Sequence, residues 1–232
     1  MFVRHGETNG NIQRVFQAHD TPLNECGQTQ AYALGKFLHK EKFTHIYSSD
    51  LARTKQTCEI IMSQNTHYNS SAQIVQINHD KRLRERDFGT LRGSKYEEYD
   101  KFVMNSSTQD FMSCRPPMGE SILDVSERCK EFFIALCKQM FIEKNTNESD
   151  IAVVANVLVV THGAFLQIMF SYLRDELGCQ FEWGNMLNTG RSCFEVTFPS
   201  YADNDLKVEN NSEKPCWFDD IIVKNTLINV VC

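Results

Sequence analysis

The sequence predicts an α/β fold in which helices flank a mostly parallel central sheet. Strand-like apolar runs alternate with segments whose apolar residues recur at helical spacing, a pattern typical of βαβ units. Two of these runs, residues 1–3 and 157–160, end close to a histidine that is followed by a glycine. Neither an internal repeat nor a domain-breaking linker interrupts the chain. We therefore expect a single domain over residues 1–232.

The first half is predicted to hold two helices and two strands after the first strand. The first helix has apolar residues at helical spacing, namely Ala31, Leu34, Phe37 and Leu38. Ser49 and Asp50 are expected to cap the second helix, since their side-chain oxygens can accept first-turn N–H groups. The expected order is a helix over 28–39, a strand over 45–48, a helix to about Met62 and a strand over 73–77.

The second half is predicted to begin with a polar insertion at about 93–119, near the pocket, with short helical pieces around 96–104. A strong amphipathic helix over 121–141 follows, with inward residues Ile122, Val125, Cys129, Phe132, Phe133, Leu136 and Met140. Beyond it, the pattern indicates a polar linker at 145–150, a strand at 157–160, a buried helix at 165–173 and edge strands at 193–198 and 220–223.

Composition and charge limit the classes of partner. The formal net charge of −6 disfavours a general nucleic-acid binder, because such domains are usually basic. No apolar run approaches the ~20 residues that span a bilayer, so no membrane partner is expected. The nine cysteines are scattered without a C-x-x-C pair or a zinc-like Cys-His spacing. We read them as reduced thiols in a cytoplasmic protein.

Five groups capable of binding or transferring a phosphate occur at the ends of predicted elements. A lone histidine near a strand is more often structural, and a lone arginine is usually a solvated surface charge. In open α/β sheets, however, ligands bind beyond the carboxyl ends of the strands. Two imidazoles with arginine in one pocket suit phosphoryl chemistry. The five groups are Arg4, His5, Arg53, Glu85 and His162.

These motifs resemble the histidine phosphatase superfamily, also called the phosphoglycerate-mutase-like family. The resemblance rests on the segment Arg4-His5-Gly6-Glu7-Thr8 with the distant His162-Gly163, and runs from residue 1 to about 190. Further matches are Asn11, Pro22-Leu23, Gly27, Gln30, residues 48–54, Glu85, Gly89, Gly93 and residues 119–121. The family implies a three-layer sandwich, with helices on both faces of the sheet.

Within that superfamily, four stretches look closest to the TIGAR branch of fructose-2,6-bisphosphatase-like regulators of glycolysis. They are residues 42–45, 48–57, 82–86 and 116–121. The resemblance implies hydrolysis of a small sugar or glycerate bisphosphate, either fructose 2,6-bisphosphate or 2,3-bisphosphoglycerate or both. It implies no metal and no cofactor, and it leaves the oligomeric state open.

The same resemblance implies a role for each site residue. His5 would attack phosphorus and form a phosphohistidine, which divides one hard displacement into two easier ones. Arg4, Arg53 and His162 would hold the phosphoryl oxygens and stabilise the transition state. Glu85 would be the proton donor and acceptor. Asn11 and Gln17 would bind phosphate as well.

Besides an acid phosphatase of broad specificity, three alternatives to a dedicated metabolite phosphatase stay open at this point. The first is a phosphoglycerate mutase, although mutases carry an adjacent Arg pair in the insertion and residues 93–116 contain only Arg115 with two lysines. The others are a protein phosphatase on the same scaffold and a catalytically inactive binding module. Two local features complicate the resemblance. Ala18 stands where the family often has Gly, and an alanine would hinder a backbone conformation with positive φ there. Arg84 and Arg86 flank Glu85 and are expected to point away from it or to contact a second phosphate.

Overall fold

The computed structural model describes residues 1–70, 75–106, 110–146, 155–182, 184, 186–199, 218 and 220–231. Strands in these ranges form one sheet in the order β3-β2-β4-β1-β5-β6. The bounds are β1 Phe2–Arg4, β2 His45–Ser48, β3 Ile77–His79, β4 Val157–Thr161, β5 Arg191–Thr197 and β6 Ile222–Val230. The first four strands pair in parallel, while β5 and β6 join antiparallel beside β1. The predicted mostly parallel sheet is confirmed.

Helices cover both faces of this sheet. Their bounds are α1 Asn9–Gln13, α2 Glu25–Phe37, α3 Ala52–Ser63, α4 Thr66–Ser70, α5 Tyr96–Met104, α6 Ile122–Thr146 and α7 Gly163–Asp175. Short 3-10 turns occupy Lys81–Leu83 and Gly89–Leu91. None of the helices in the described ranges combines the length and the apolar character needed to cross a bilayer.

Alternation along the strands divides the core into two layers. Successive strand residues point to opposite faces, so Phe2 packs with the α6 and α7 side chains while Val3 packs with those of α2 and α3. In the same way Val159 belongs to the first cluster and Val160 to the second. Helices, sheet and helices therefore form the expected three layers.

The predicted helices are confirmed, with different ends and one wrong cap. The α2 helix begins at Glu25 because the Asn24 side chain accepts a hydrogen bond from the Gly27 N–H. The proposed cap of α3 is wrong: Leu51 is its N-cap without a side-chain cap hydrogen bond, and the Ser49 hydroxyl accepts from the Leu51 N–H at 3.4 Å instead of from an N–H of the first turn. The Ser49 hydroxyl bonds His162 and the Asp50 carboxylate bonds Arg84, as described below for the site.

The predicted strands after residue 70 need two corrections. The strand expected at 73–77 begins at Ile77, and residues 73 and 74 lie outside the described residues. The β5 strand is not an edge, because β1 and β6 pair with its two sides. The expected linker at 145–150 starts inside α6, and its residues 147–150 fall outside the part that the structure describes.

Candidate active site

The two histidines meet where β1 and β4 end. These strands pair in parallel with Arg4 opposite Thr161, and the His5 N–H donates to the Thr161 carbonyl at 2.9 Å. Each histidine is the next residue after its strand, so both arrive at the same edge. Their rings lie 5.2 Å apart between centroids, and both side chains are buried.

The His5 ring has one defined tautomer. Its Nδ1 lies 2.7 Å from the Gly6 carbonyl oxygen. A carbonyl can only accept, so Nδ1 carries the proton and Nε2 keeps its lone pair. Burial, followed by the charges of Arg53 and Arg4, holds the pKa of His5 well below its ordinary value. The ring is therefore neutral at pH 7, the state in which Nε2 can act as a nucleophile.

The His162 ring lies beside His5 with one nitrogen engaged. Its Nε2 lies 3.0 Å from the hydroxyl of Ser49, and its Nδ1 is buried with no hydrogen-bond partner among the described residues. Burial is the main reason that its pKa is well below the usual range, and the charge of Arg53 lowers the pKa further. If the Ser49 hydroxyl donates to Nε2, the proton sits on Nδ1, which becomes a free donor.

Arg4, which is half-buried, and Arg53, which is buried, place two guanidinium groups at the same edge. Arg4 Nη1 donates to the Met186 carbonyl, and Arg53 Nη1 donates to the Ala18 carbonyl at 3.1 Å. The Nε atom of each is buried and unpartnered within the described part of the chain. Burial lowers the pKa of both side chains, that of Arg53 to about 10, so both remain cationic at pH 7.

Close packing at Gly163 keeps the Arg4 side chain against the start of α7. A Cβ atom placed on Gly163 would lie 3.3 Å from Arg4 Nε, closer than most side-chain contacts. Glycine at this position therefore leaves room for the guanidinium group. This gives a physical reason for the glycine that follows His162.

Glu85 lies at the N-terminus of α7. Its carboxylate accepts hydrogen bonds from the N–H groups of Arg86 at 3.0 Å, Ala164 at 3.2 Å and Phe165 at 3.1 Å. Exposed N–H groups at a helix start are natural partners of a carboxylate. These three bonds fix the carboxylate, and its charge acts on the nearby Arg4 and Arg53.

Asn11 and Gln17 are held by Thr8 at the start of α1. The Asn11 side-chain oxygen accepts from the Thr8 N–H at 3.1 Å, while its backbone N–H donates to the Thr8 hydroxyl at 3.1 Å, which forms a capping box. The Thr8 hydroxyl is also 2.8 Å from Gln17 Oε1. Both amide side chains line the cavity described next.

A cavity of about 820 Å³ opens over these groups. Six of the seven expected site residues line it: Arg4, His5, Asn11, Gln17, Arg53 and Glu85. The seventh, His162, is fully buried next to His5 and outside the lining surface. The lining has five arginines and three carboxylates, so the cavity is locally positive in a protein of net charge −6. The charged residues of the lining are Arg4, Arg14, Arg53, Arg86 and Arg92, together with Glu85, Asp87 and Asp100.

The arginines on either side of Glu85 are engaged elsewhere. Arg84 forms a two-point ion pair with Asp50, with N–O distances of 2.7 and 2.6 Å. Arg86 is buried and donates to the Tyr99 hydroxyl and the Cys114 carbonyl at 2.8 and 2.9 Å. Both guanidinium groups thus turn away from the Glu85 carboxylate, the first of the two expected arrangements.

Sequence reasoning missed three residues of this site. Ser49 bonds His162, and Tyr96 of α5 lines the cavity. Asn188 donates from Nδ2 to the His5 carbonyl at 2.9 Å and to Asn11 Oδ1 at 3.3 Å. The signals available in the sequence were a polar residue directly after β2, Ser49, and one shortly before β5, Asn188. The concern over Ala18 does not apply, because its φ is not positive.

Groups of three or more His, Cys, Asp or Glu side chains placed to hold a metal ion do not occur among the described residues. The polar groups that surround the Glu85 carboxylate at the carboxyl edge of the sheet are instead cations, imidazoles and amides. Such groups bind an anion, and the two guanidinium forks match the oxygens of a phosphoryl group.

Comparison with known proteins agrees with this chemistry. The family model of the histidine phosphatase superfamily (branch 1) matches residues 1–200. Fructose-2,6-bisphosphatase TIGAR of Xenopus tropicalis is 33% identical, with 85% of this chain and 86% of the relative covered. Phosphoglycerate mutase-like protein 4 of Arabidopsis thaliana is 32% identical, with 74% and 69% covered.

Solved structures share the fold. YhfR of Bacillus stearothermophilus is 27% identical, with a TM-score of 0.63 over 84% of this chain and 90% of that one. A mycobacterial glucosyl-3-phosphoglycerate phosphatase is 22% identical, with a TM-score of 0.68 over 99% and 97% of the two chains. The chain therefore belongs to the histidine phosphatase superfamily, branch 1, whose members hydrolyse phosphomonoesters.

Proposed function

We propose that this chain hydrolyses a phosphate monoester of a small sugar or glycerate bisphosphate through a phosphohistidine on His5. Fructose 2,6-bisphosphate and 2,3-bisphosphoglycerate are the proposed substrates, and regulation of glycolysis is the proposed role. One observation carries the proposal. Next to the neutral His5 ring, the Nε atoms of Arg4 and Arg53 and the Nδ1 atom of His162 are buried and have no hydrogen-bond partner in the part of the chain that the structure describes. Buried polar groups are nearly always paired, so these atoms are placed to bind the oxygens of an anion.

In the first half-reaction, His5 Nε2 attacks phosphorus and the ester P–O bond breaks. The planar arginine forks and His162 stabilise the charge on the phosphoryl oxygens, and Asn11 and Gln17 add neutral hydrogen bonds. Glu85 gives a proton to the leaving alkoxide. The product alcohol departs, and the phosphoryl group stays on His5.

In the second half-reaction, Glu85 takes a proton from water while the water oxygen attacks phosphorus. The P–N bond breaks, inorganic phosphate is released, and the electron pair returns to His5 Nε2. The proton taken from water is the one that Glu85 gives to the next leaving alkoxide, and His5 is neutral again. The steps use only side chains of this chain, so the proposal includes no metal and no cofactor.

The positive cavity supports a small substrate with more than one anionic group. Arg14 and Arg92 line it in addition to Arg4 and Arg53, so cations are available for a second phosphate or a carboxylate. The relatives named fructose-2,6-bisphosphatase support the sugar bisphosphate. The neighbour named glucosyl-3-phosphoglycerate phosphatase supports a phosphorylated glycerate.

In this proposal residues 1–232 form one domain, and an insertion at about 93–119 forms one wall of the cavity. Phe16 connects this segment to the rest of the cavity lining. Its backbone N–H donates to the Ser94 carbonyl at 3.0 Å, and its ring stacks on that of Phe88 with the ring centroids 3.8 Å apart. The buried free thiols are compatible with the reducing cytoplasm, which is the proposed location.

A substrate panel tests the proposal. Release of phosphate would be measured with fructose 2,6-bisphosphate, 2,3-bisphosphoglycerate, 3-phosphoglycerate and a phosphopeptide, with the His5→Ala variant as the blank. We expect one of the two bisphosphates to have the highest kcat/KM. Conversion of 3-phosphoglycerate to its isomer would indicate the mutase, and preference for the phosphopeptide would indicate the protein phosphatase. No turnover of any of them by wild type would favour the inactive binding module.

A further inference from the structure

The Arg128 side chain, from the second turn of α6, contacts the loop that carries Glu85. Its Nη1 donates to the carbonyls of Arg82 and Arg84, both at 2.7 Å, and its Nη2 donates to the Glu85 carbonyl at 3.2 Å. The side chain is only 13% exposed and lies outside the lining of the cavity. Arg128 therefore holds the backbone of the Glu85 loop from a position that does not contact the substrate.

Glu120 completes the surroundings of this guanidinium group. Its two carboxylate oxygens accept from Arg128 Nε and Nη2, each at 2.9 Å. Together with the bonds to the three carbonyls, these two bonds use all five N–H donors that an arginine side chain has. One carboxylate oxygen also accepts from the Asp87 N–H at 2.9 Å, and the Glu120 N–H donates to the Asp87 carbonyl at 2.7 Å. The Arg128–Glu120 pair thus holds the chain on both sides of Glu85.

The same guanidinium group also contacts the helix start that binds the Glu85 carboxylate. Its carbon atom lies 5.8 Å from the centre of the Phe165 ring, a distance at which a cation is attracted to an aromatic face. The Phe165 side chain is fully buried, and its backbone N–H is one of the three donors to the carboxylate. Arg128 therefore joins the two structures that fix this carboxylate, the loop that carries it and the first turn of α7.

The position of the Glu85 carboxyl decides whether it can act as an acid. A general acid must lie within about 3 Å of the oxygen that it protonates, and a misplacement of about 1 Å can lower the rate about 10²-fold. We propose that Arg128, paired with Glu120, is a positioning residue that fixes the Glu85 loop against α7 so that the carboxyl reaches the leaving oxygen. The inference rests on the proposed phosphatase reaction and adds to it a residue that acts on the substrate only through Glu85.

Arg128→Lys tests this role on two substrates that differ in their leaving group. Lysine keeps the charge but has only three donors at one point, so kcat/KM for the better of the two bisphosphates should fall about 10- to 100-fold. Nitrophenyl phosphate needs little help from an acid and should lose less than about threefold. The matched control is Arg82→Lys, since Arg82 is also ion-paired, with Asp80, and lies over the Phe132 ring of α6, but outside the cavity lining. We expect this control to keep both rates.

Equal losses on the two substrates, or no loss on the bisphosphate, would overturn the role of Arg128. A second variant keeps the test valid if Arg128→Lys does not fold. Arg128→Met combined with Glu120→Gln leaves no unpaired charge in the interior, and the same selective loss on the bisphosphate is expected from it.

Amide hydrogen exchange separates this inference from the reaction on which it rests. The three backbone N–H groups that donate to the Glu85 carboxylate are those of Arg86, Ala164 and Phe165. Their exchange rates, measured by NMR, report these bonds without any turnover. We expect Arg128→Lys to raise the three rates at least about fivefold while the amides of β4 keep theirs, and Arg82→Lys to change none. Unchanged exchange in Arg128→Lys would overturn the positioning role. If the three rates rise but wild type hydrolyses no substrate, the proposed function fails while the role of Arg128 in holding Glu85 stands.

Discussion

The Nδ1 atom of His5 lies 2.7 Å from the carbonyl oxygen of Gly6, the next residue in the chain. This short-range contact leaves Nε2 unprotonated, while burial keeps the whole ring neutral. The nucleophile is therefore prepared by its own backbone and by the closeness of two arginines, without a neighbouring carboxylate on Nδ1. The site differs in this from a Ser-His-Asp triad, in which the histidine acts as the base.

Replacement of His5 tests the nucleophile. His5→Ala removes the only atom proposed to bond phosphorus, so phosphate release should fall by at least about 10³-fold. The matched control is His39→Ala: His39 Nδ1 also lies 2.7 Å from a backbone carbonyl, that of Lys36, but the residue is outside the cavity lining. A His5→Ala enzyme with activity near wild type would refute the assignment.

Replacement of Glu85 tests the proton donor. Glu85→Gln keeps the shape of the side chain but cannot protonate the leaving alkoxide, so phosphoenzyme formation should slow by about 10²- to 10⁴-fold on sugar phosphates. Nitrophenyl phosphate has a good leaving group and should be affected much less. Single-turnover rates on both substrates decide the matter, since equal losses are incompatible with general-acid catalysis.

Ser49 is expected to hold His162 in its active orientation. Ser49→Ala leaves Nε2 of His162 without the partner now at 3.0 Å, and the loss of one such bond of about 1 kcal/mol corresponds to a roughly fivefold lower kcat. Steady-state kinetics would measure it, with Ser63→Ala as control, because that hydroxyl donates to the Ile60 carbonyl and accepts from the Gln64 side chain at the end of α3, outside the cavity lining. An unchanged kcat in Ser49→Ala would remove Ser49 from the account.

The buried histidines should make folding stability depend on pH. The pKa values of His5 and His162 in the folded protein are well below the ordinary value of 6.5. As pH falls below 6.5, the unfolded chain binds protons that the folded chain does not, so stability decreases. Each histidine contributes a slope of up to about 1.4 kcal/mol per pH unit.

Urea unfolding between pH 7.5 and 5.5 measures this effect. Wild type should lose stability across the lower half of this range, and His5→Asn should show about half the loss attributable to the two histidines. Carboxylates with lowered pKa values, such as Asp50 and Asp124, titrate below this window. A wild-type stability that stays constant down to pH 5.5 would contradict the neutral, buried state of both rings.

Short motifs made the main elements and the site predictable. His5 and His162 each follow an apolar strand, and parallel strands bring their ends together, so the local pattern was enough to place them at one edge. The role of Ser49 was not predictable in this way, because it depends on the pairing of β2 with β4, more than 100 residues apart. A serine just before a helix looks like a cap in the sequence, but the longer-range bond to His162 determines its position.

Two other misses have the same origin. The β5 strand looked like an edge because its sequence alternates, yet β6 covers its outer side through pairs such as Glu195 with Lys224. Tyr96 looked like part of a polar insertion, and backbone contacts of residues 93–96 with residues 14–16, among them the bridge between Val15 and Lys95, bring it to the cavity. Contacts between distant segments decide both cases, and periodicity within one segment carries no information about them.

The central claim is the phosphohistidine on His5, and a rapid-quench experiment tests it most directly. Wild type would be mixed in excess with ³²P-labelled fructose 2,6-bisphosphate or 2,3-bisphosphoglycerate, quenched over milliseconds to seconds, and analysed for acid-labile label by peptide mapping. The account predicts label that appears on the peptide containing His5, decays to inorganic phosphate and is absent in His5→Ala. Phosphate release without any labelled enzyme, or label on another residue, would contradict it.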